Sequence, residues 1–336
     1  MFELLGICLA LAALLTLNAL AALLASALWR MFGSRVKDWP AAERARLLFA
    51  LRVFPSIIAV VCVGALLLPA YIAHEPRRAV EPVSLKLAVL AAISAAGLLL
   101  ALWRGVAAWI ATRRLIKDWL RVAEPVRFDQ IPIPAYRLRH PFPIIAIVGA
   151  IGPKLFIADH LFQSLTREEM DAAIAHESGH LAARDNLKRV LLRACRDVLA
   201  IVPSGASPSG ARMDRAWAEA SETSADEHAA RGGSNVTLDL ASTLVKIARL
   251  VPEGVKPAMP AGALLVGDNA DGIAQRVRRL TRLATLDEVA LGERTFNAWP
   301  QACFAAILIS TILLATNPST LLAIHNLIEI AVSKLQ

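Results

Sequence analysis

Hydrophobic positions in this chain gather into long unbroken blocks, unlike the alternating or 3.6-residue stripes of a water-soluble protein. Residues 4–29, LLGICLALAALLTLNALAALLASALW, carry no charge. At about 1.5 Å per residue they are long enough to span a bilayer. A signal peptide ending near Ala25-Ser26-Ala27 is the rival, but no Lys or Arg precedes the run and the apolar stretch is too long for one. A second uncharged run covers 53–73 and contains Pro55 and Pro69. A third covers about 85–111, and a shorter fourth, 301–316, follows Trp299-Pro300. The fourth is short enough that it could cross, dip in and return, or continue into 321–333 past Asn317-Pro318. Trp29, Trp103, Trp109 and Trp299 lie near the run ends, where interfacial anchors belong.

Between the third and fourth runs the pattern changes to α+β. PIIAIVG (143–149) and KLFIAD (154–159) are β-branched apolar runs separated by AIGP, which predicts a hairpin. Thr166 and Glu169 form a capping-box pair, and Leu165 and Met170 can staple the same helix start. The predicted helix runs through EEMDAAIAHESGHLAA. A second one covers about 211–231 and stops at Gly232-Gly233, after the small-residue loop 203–211. The predicted fold class is mainly α with a small β element: a polytopic helical membrane protein with an inserted HExxH zincin-like (gluzincin) domain. Its divisions are 1–112 (three spans, about 4–29, 53–73 and 85–111), 113–300 (a cytoplasmic metallopeptidase domain) and 301–336 (a last span and short tail).

The composition agrees with a chain partly dissolved in lipid: 336 residues, 56% hydrophobic, only 19% charged, mean hydropathy +0.52. The net charge of +8 would admit nucleic acid as a partner. The basic residues instead cluster at the ends of apolar runs, with no basic stripe interleaved with aromatics, so no nucleic acid is expected. Segment 30–52 holds Arg30, Arg35, Lys37, Arg44, Arg46 and Arg52 against Asp38 and Glu43. Segment 74–86 holds Arg77, Arg78 and Lys86 against Glu75 and Glu81, and Arg113, Arg114, Lys117 and Arg121 follow the third run. The positive-inside rule then places the N-terminus outside a plasma (inner) membrane and the polar domain in the cytoplasm. Cys8, Cys62, Cys195 and Cys303 form no CxxC pair and read as small buried hydrophobes, not as a disulfide framework or a zinc site.

The chemistry is in AIAHESGHLAARDN (173–186). On a helix, His176 and His180 are one turn apart and can reach one metal ion. Glu177 lies beside that ion, where it can take a proton from an attacking water as the catalytic base. A third ligand is required, and WAEASETSADEHAA offers Glu222, with Asp226 on the same face to hydrogen-bond a ligand histidine. Two neutral imidazoles and a carboxylate leave a Zn²⁺ site at net +1, able to act as a Lewis acid. Glu219 and Glu227 are neighbours or rival ligands. His74, His140, His160, His228 and His325 read as structural.

SLTREEMDAAIAHESGHLAARDN resembles the BlaR/MecR-type integral membrane zinc metallopeptidases. ETSADEHAA is similar to their E-x-x-A/C-D ligand motif, and IAQRVRRLTRL (273–283) to their R-hydrophobic-x-x-L segment. The likeness is good over about 113–300 and extends to the layout of spans. The HtpX and CAAX-protease group shares the metal motifs with a different arrangement of spans. The resemblance implies one Zn²⁺ per chain held by His176, His180 and Glu222, with Glu177 as base. Asp226 and Asp185, the latter in the Arg-Asp-Asn after the helix, would orient the ligand histidines. It implies a peptide or protein substrate, with a cytoplasmic regulator or repressor as a candidate, and the lipid bilayer as a partner. The sequence ends at Gln336 without a penicillin-binding domain, so a β-lactam signal is not expected. In such proteases an edge strand pairs with the substrate backbone, and hairpin 143–159 is either that edge or a plain core hairpin. Besides Tyr71 and Tyr136, Arg215 and His228 are the candidates for an oxyanion donor. The alternatives are a membrane quality-control or processing protease, a non-catalytic signal transducer that has no use for Glu177, and a transporter, for which the spans carry too few charges.

Overall fold

The computed structural model describes residues 2–76, 83–198, 208–251, 270–285 and 299–335. Among the described residues, three stretches of helix are long and apolar enough to cross a bilayer. The first is α1 (Phe2–Phe32). The second is α2 (Ala41–Cys62), a π-helical turn (Val63–Leu67) and α3 (Leu68–His74) in one run, and the third is α4 (Leu85–Leu120). The π turn ends just before Pro69, which has no amide hydrogen for the carbonyl one turn back, so the hydrogen-bond register shifts there. Leu20, Leu24, Leu99 and Leu102 are each more than 60% exposed, a band that fits lipid and not water. Arg77, Arg78, Glu81 and the loop 203–207 lie outside the described residues.

Two of these helices run well past their apolar runs. Residues 41–52, which the charge pattern assigned to a connecting loop, are the first half of α2. The helix continues there because its Leu48 and Ala45 face are buried against α8 (Pro208–Ala230), in a cluster with Leu192, Met213 and Trp217. Arg52 seals that contact with a two-pronged ion pair to Asp214, 2.7 and 3.3 Å. Likewise α4 extends beyond 111, where Leu115, Ile116 and Trp119 pack into the polar domain, while Arg104, within the run, lies 2.8 Å from the buried Asp197 of α7 (Asp185–Val198). The spans therefore serve as the floor on which the polar domain is built.

Four short strands form one sheet: β1 (Ala123–Val126), β2 (Ala135–Leu138), β3 (Ile145–Val148) and β4 (Lys154–Ala158). The order is β1-β2-β4-β3, antiparallel except for β2 and β4. The expected hairpin is present as β3–β4, but it belongs to a larger sheet with β3 at its edge. After the single turn α5 (Leu161–Ser164), helix α6 (Arg167–Ala183) begins at Thr166 with both halves of the capping box made. Leu165 and Met170 join the sheet core around Phe156, Ile157 and Ile174. The other face of α6 meets α9 (Ser234–Leu250) and α10 (Ala270–Thr285) through Ala172, Leu240, Leu244 and Leu280. The Glu169 carboxylate also ties α6 to α9, accepting from Ser242 Oγ and Lys246 Nζ at 2.7 Å each. At the C-terminus, α11 (Trp299–Ala315) and α12 (Pro318–Leu335) meet at an 89° bend, so the fourth apolar run is a broken span or a re-entrant pair.

Candidate metal centre

Helix α6 carries His176, Glu177 and His180, all at least 95% buried. Their helix can approach α8 closely because Gly179 lies between the histidine turns. A Cβ there would stand 3.0 Å from both Ala225 Cα and His228 Cβ. That approach brings Glu222 to the histidines. The two Nε2 atoms are 3.2 Å apart, and Glu222 oxygens lie 3.7 Å from His176 Nε2 and 3.6 Å from His180 Nε2. All three donor atoms fall within 4.8 Å of one another, a group that could hold a metal ion.

Each ring is aimed by a carboxylate on its far side. Asp226 Oδ1 is 3.0 Å from His176 Nδ1, and Asp185 Oδ2 is 2.8 Å from His180 Nδ1. Asp185 arrives there because Arg184 takes up the left-handed conformation (φ 55°), ending α6 and turning the chain at once into α7. Ser221 Oγ donates to the same Asp185 oxygen at 2.6 Å, so α8 steadies both histidines. Asp226 and Asp185 thus each lie against one ring. Of the rival ligands, Glu219 is exposed and Glu227 is paired with Arg279.

The residue that sequence reasoning missed is Arg276. It is buried, and its guanidinium grips Asp226 through Nε (3.0 Å) and Nη2 (2.7 Å) while Nη1 lies 3.1 Å from Glu222. The available signal was its place in IAQRVRRLTRL, where Arg276 and Leu280, one turn apart, are buried while Arg278 and Arg282 are exposed. None of the tyrosines is near. Tyr71 donates to Phe2 O at the far end of the spans, and Tyr136 stacks on Phe156 in the sheet. Arg215 is exposed on α8, whereas His228 packs beside Gly179 next to the His176 turn.

Burial and charge set the protonation states. Burial alone would lower the basicity of His180, but Glu222, Asp185 and Glu177 outweigh it and push the ring up to about 10; His176 is raised in the same way by Asp226 and Glu222. Glu222 is held well below the usual carboxylate range despite its burial by His180, His176 and Arg276. Glu177 goes the other way: burial raises it, the histidines only partly offsetting that. One Glu177 oxygen, Oε2, is buried with no hydrogen-bond partner among the described residues.

A family model for peptidase family M48 matches residues 146–331, from β3 through α12. The chain belongs to peptidase family M48. No curated protein matches it. M48 peptidases are typically zinc-dependent, and the donor set fits that ion. Two imidazoles on a tetrahedral zinc with bonds of about 2.0–2.1 Å stand roughly 3.3 Å apart, close to the 3.2 Å between the His176 and His180 nitrogens. Glu177 Oε2, in the same helical turn, is a buried acceptor without a hydrogen-bond partner among the described residues, as fits a group next to a bound ion. This M48 match is to the peptidase family as a whole and does not single out the BlaR/MecR type.

The edge of the sheet adjoins this centre. Pairing of β3 with β4 leaves the main-chain groups of Ile147 facing away from the sheet. Both are used within the chain: Ile147 N–H bonds Glu177, and its carbonyl accepts from Asn186 Nδ2 at 2.8 Å. At Ile147 the edge therefore holds the Glu177 carboxylate in place.

Proposed function

We propose that this M48 peptidase is an integral membrane zinc endopeptidase of the BlaR/MecR type, acting in regulated or signalling proteolysis on a cytoplasmic protein such as a regulator or repressor. The observation that carries the reading is the convergence of His176, His180 and Glu222 on one point, with the buried oxygen of Glu177 beside it. His176, His180 and Glu222 would hold one zinc per chain. Bound there, zinc would supply Lewis-acid polarisation of the scissile carbonyl and acidify the attacking water. Glu177 accepts that water's proton and afterwards delivers it to the leaving amine. Asp226 and Asp185 hold the rings in the tautomer that offers Nε2, and Arg276 balances the paired carboxylates of α8.

Chelation is the direct test. The purified chain in detergent should lose peptide hydrolysis when the metal is stripped and regain it with added zinc; hydrolysis indifferent to a chelator would sink the reading. Metal analysis should find His176→Ala and His180→Ala empty at this centre and Glu222→Gln weakened. Glu219→Gln should be like wild type, since that side chain is exposed on α8. A Glu219 effect without a Glu222 effect would move the third ligand.

The proposed layout keeps 1–112 as three spans, 113–300 as the peptidase domain and 301–336 as the last membrane segment. Supporting a cytoplasmic domain, the basic stretch 30–52 and the metal centre are on the same side, because Arg52 and its helix pack on α8. The excess of basic residues assigns that side to the cytoplasm. In a variant stripped of native cysteines, Ile151→Cys, on the 85%-exposed tip of the β3–β4 turn, should resist an impermeant thiol reagent in intact cells. It should react after permeabilisation. Labelling of intact cells would reverse the topology.

A further inference from the structure

A second set of ligand-type side chains meets at the other end of the spans, far from the peptidase centre. His325 and Glu329 are one turn apart on α12, the same spacing as His176 and His180 on α6. Glu75 caps the end of α3 and reaches the same point, so that one donor atom from each of the three lies within 4.8 Å of the others. The Glu75 side chain is only 4% exposed. Around it are the apolar residues that join α1, α3, α4 and α12: Leu5, Tyr71, Leu87 and Ile328.

The spacing is informative. His325 Nδ1 lies 4.0 Å from Glu75 Oε2, too far for a hydrogen bond, and this nitrogen is buried with no hydrogen-bond partner among the described residues. A His–Glu pair meant to share a proton closes to about 2.8 Å, as His180 and Asp185 do in this same chain. The imidazole–carboxylate gaps among the metal-centre donors are instead 3.6 and 3.7 Å, and the Glu75–His325 gap resembles those. The His74 ring stacks on His325 at 5.7 Å, and its own Nδ1 donates to Ala70 O. Glu75 is buried, His325 partly buried and Glu329 exposed, so the three donors reach from the apolar packing of the bundle to its surface.

We propose that Glu75, His325 and Glu329 form a second metal site, for a divalent transition cation of the zinc class, which staples α12 to the end of α3. One imidazole with two carboxylates suits zinc or manganese better than calcium, which takes oxygen ligands. The staple would fix the bent α11–α12 pair against the bundle, a structural role separate from peptide hydrolysis.

The test uses the full chain in detergent, loaded with zinc, desalted and assayed for metal. In the His176→Ala/His180→Ala background, about one zinc per chain should remain. Adding His325→Ala should remove it, and Glu329→Gln should weaken its affinity by more than about tenfold, a loss seen even when a group that merely orients a ligand is removed. A parallel arm keeps the peptidase centre intact: His325→Ala alone should lower zinc from about two to about one per chain with unchanged helix content by circular dichroism. Absence of residual zinc in the first background, given a folded protein, would overturn the site. So would residual zinc that survives both His325→Ala and Glu329→Gln.

Discussion

Glu177→Gln is expected to keep its zinc and lose peptide hydrolysis by about 10²–10⁴-fold, the range that general-base catalysis contributes. The substitution preserves volume in a pocket where Glu177 is 96% buried, so neighbouring packing is undisturbed. One amide oxygen can still accept from Ile147 N–H, which keeps β3 and α6 in register. What disappears is the second carboxylate oxygen, the one buried without a hydrogen-bond partner among the described residues. An amide there donates where the reaction needs an acceptor. Metal content by mass spectrometry and hydrolysis of a quenched peptide, measured on the same preparation, separate loss of the base from loss of the ion. A variant that cleaves as fast as wild type would remove Glu177 from the mechanism.

Arg276→Ala should be the most destabilising single change around the metal centre. The guanidinium is buried and contacts two buried carboxylates, Asp226 by two hydrogen bonds and Glu222 at 3.1 Å. Removing one partner from a buried ionic group costs about 3–5 kcal/mol, because the remaining charges stay desolvated. In a domain of this size that corresponds to a melting temperature lower by on the order of 10 °C. Excess zinc should narrow the gap, since a cation on Glu222 takes over part of the lost countercharge. Arg276→Lys should recover only part of the loss, as an ammonium cannot reproduce the fork on Asp226. An alanine variant that melts with the wild type would mean that Asp226 and Glu222 are not charged together.

Much of this protein is legible in its residues taken in order. The spacing of His176, Glu177 and His180 needs only the helical repeat to put two imidazoles on one face, and Thr166 with Glu169 marks where that helix begins. Uncharged blocks of sufficient length announce the spans, and the β-branched runs around AIGP announce β3 and β4. These are local properties, decided by geometry within a few residues of chain.

The tertiary structure decided what depends on contacts between distant segments. Sequence offered Glu219, Glu222 and Glu227 as neighbours on one helix; the close pass of α8 over Gly179 turns Glu222 toward the histidines and leaves Glu219 in solvent. It paired Asp226 with His176 and Asp185 with His180, the second through a left-handed residue, Arg184, that no pattern advertised. It selected Arg276 from several arginines on α10, and it carried α2 back to Ala41 because α8 buries its polar half. A helix repeats every 3.6 residues wherever it is, so its own face can be read from sequence. Which face another helix covers is set by the sum of many weak packing contacts, and that sum is fixed only when the whole chain is in place.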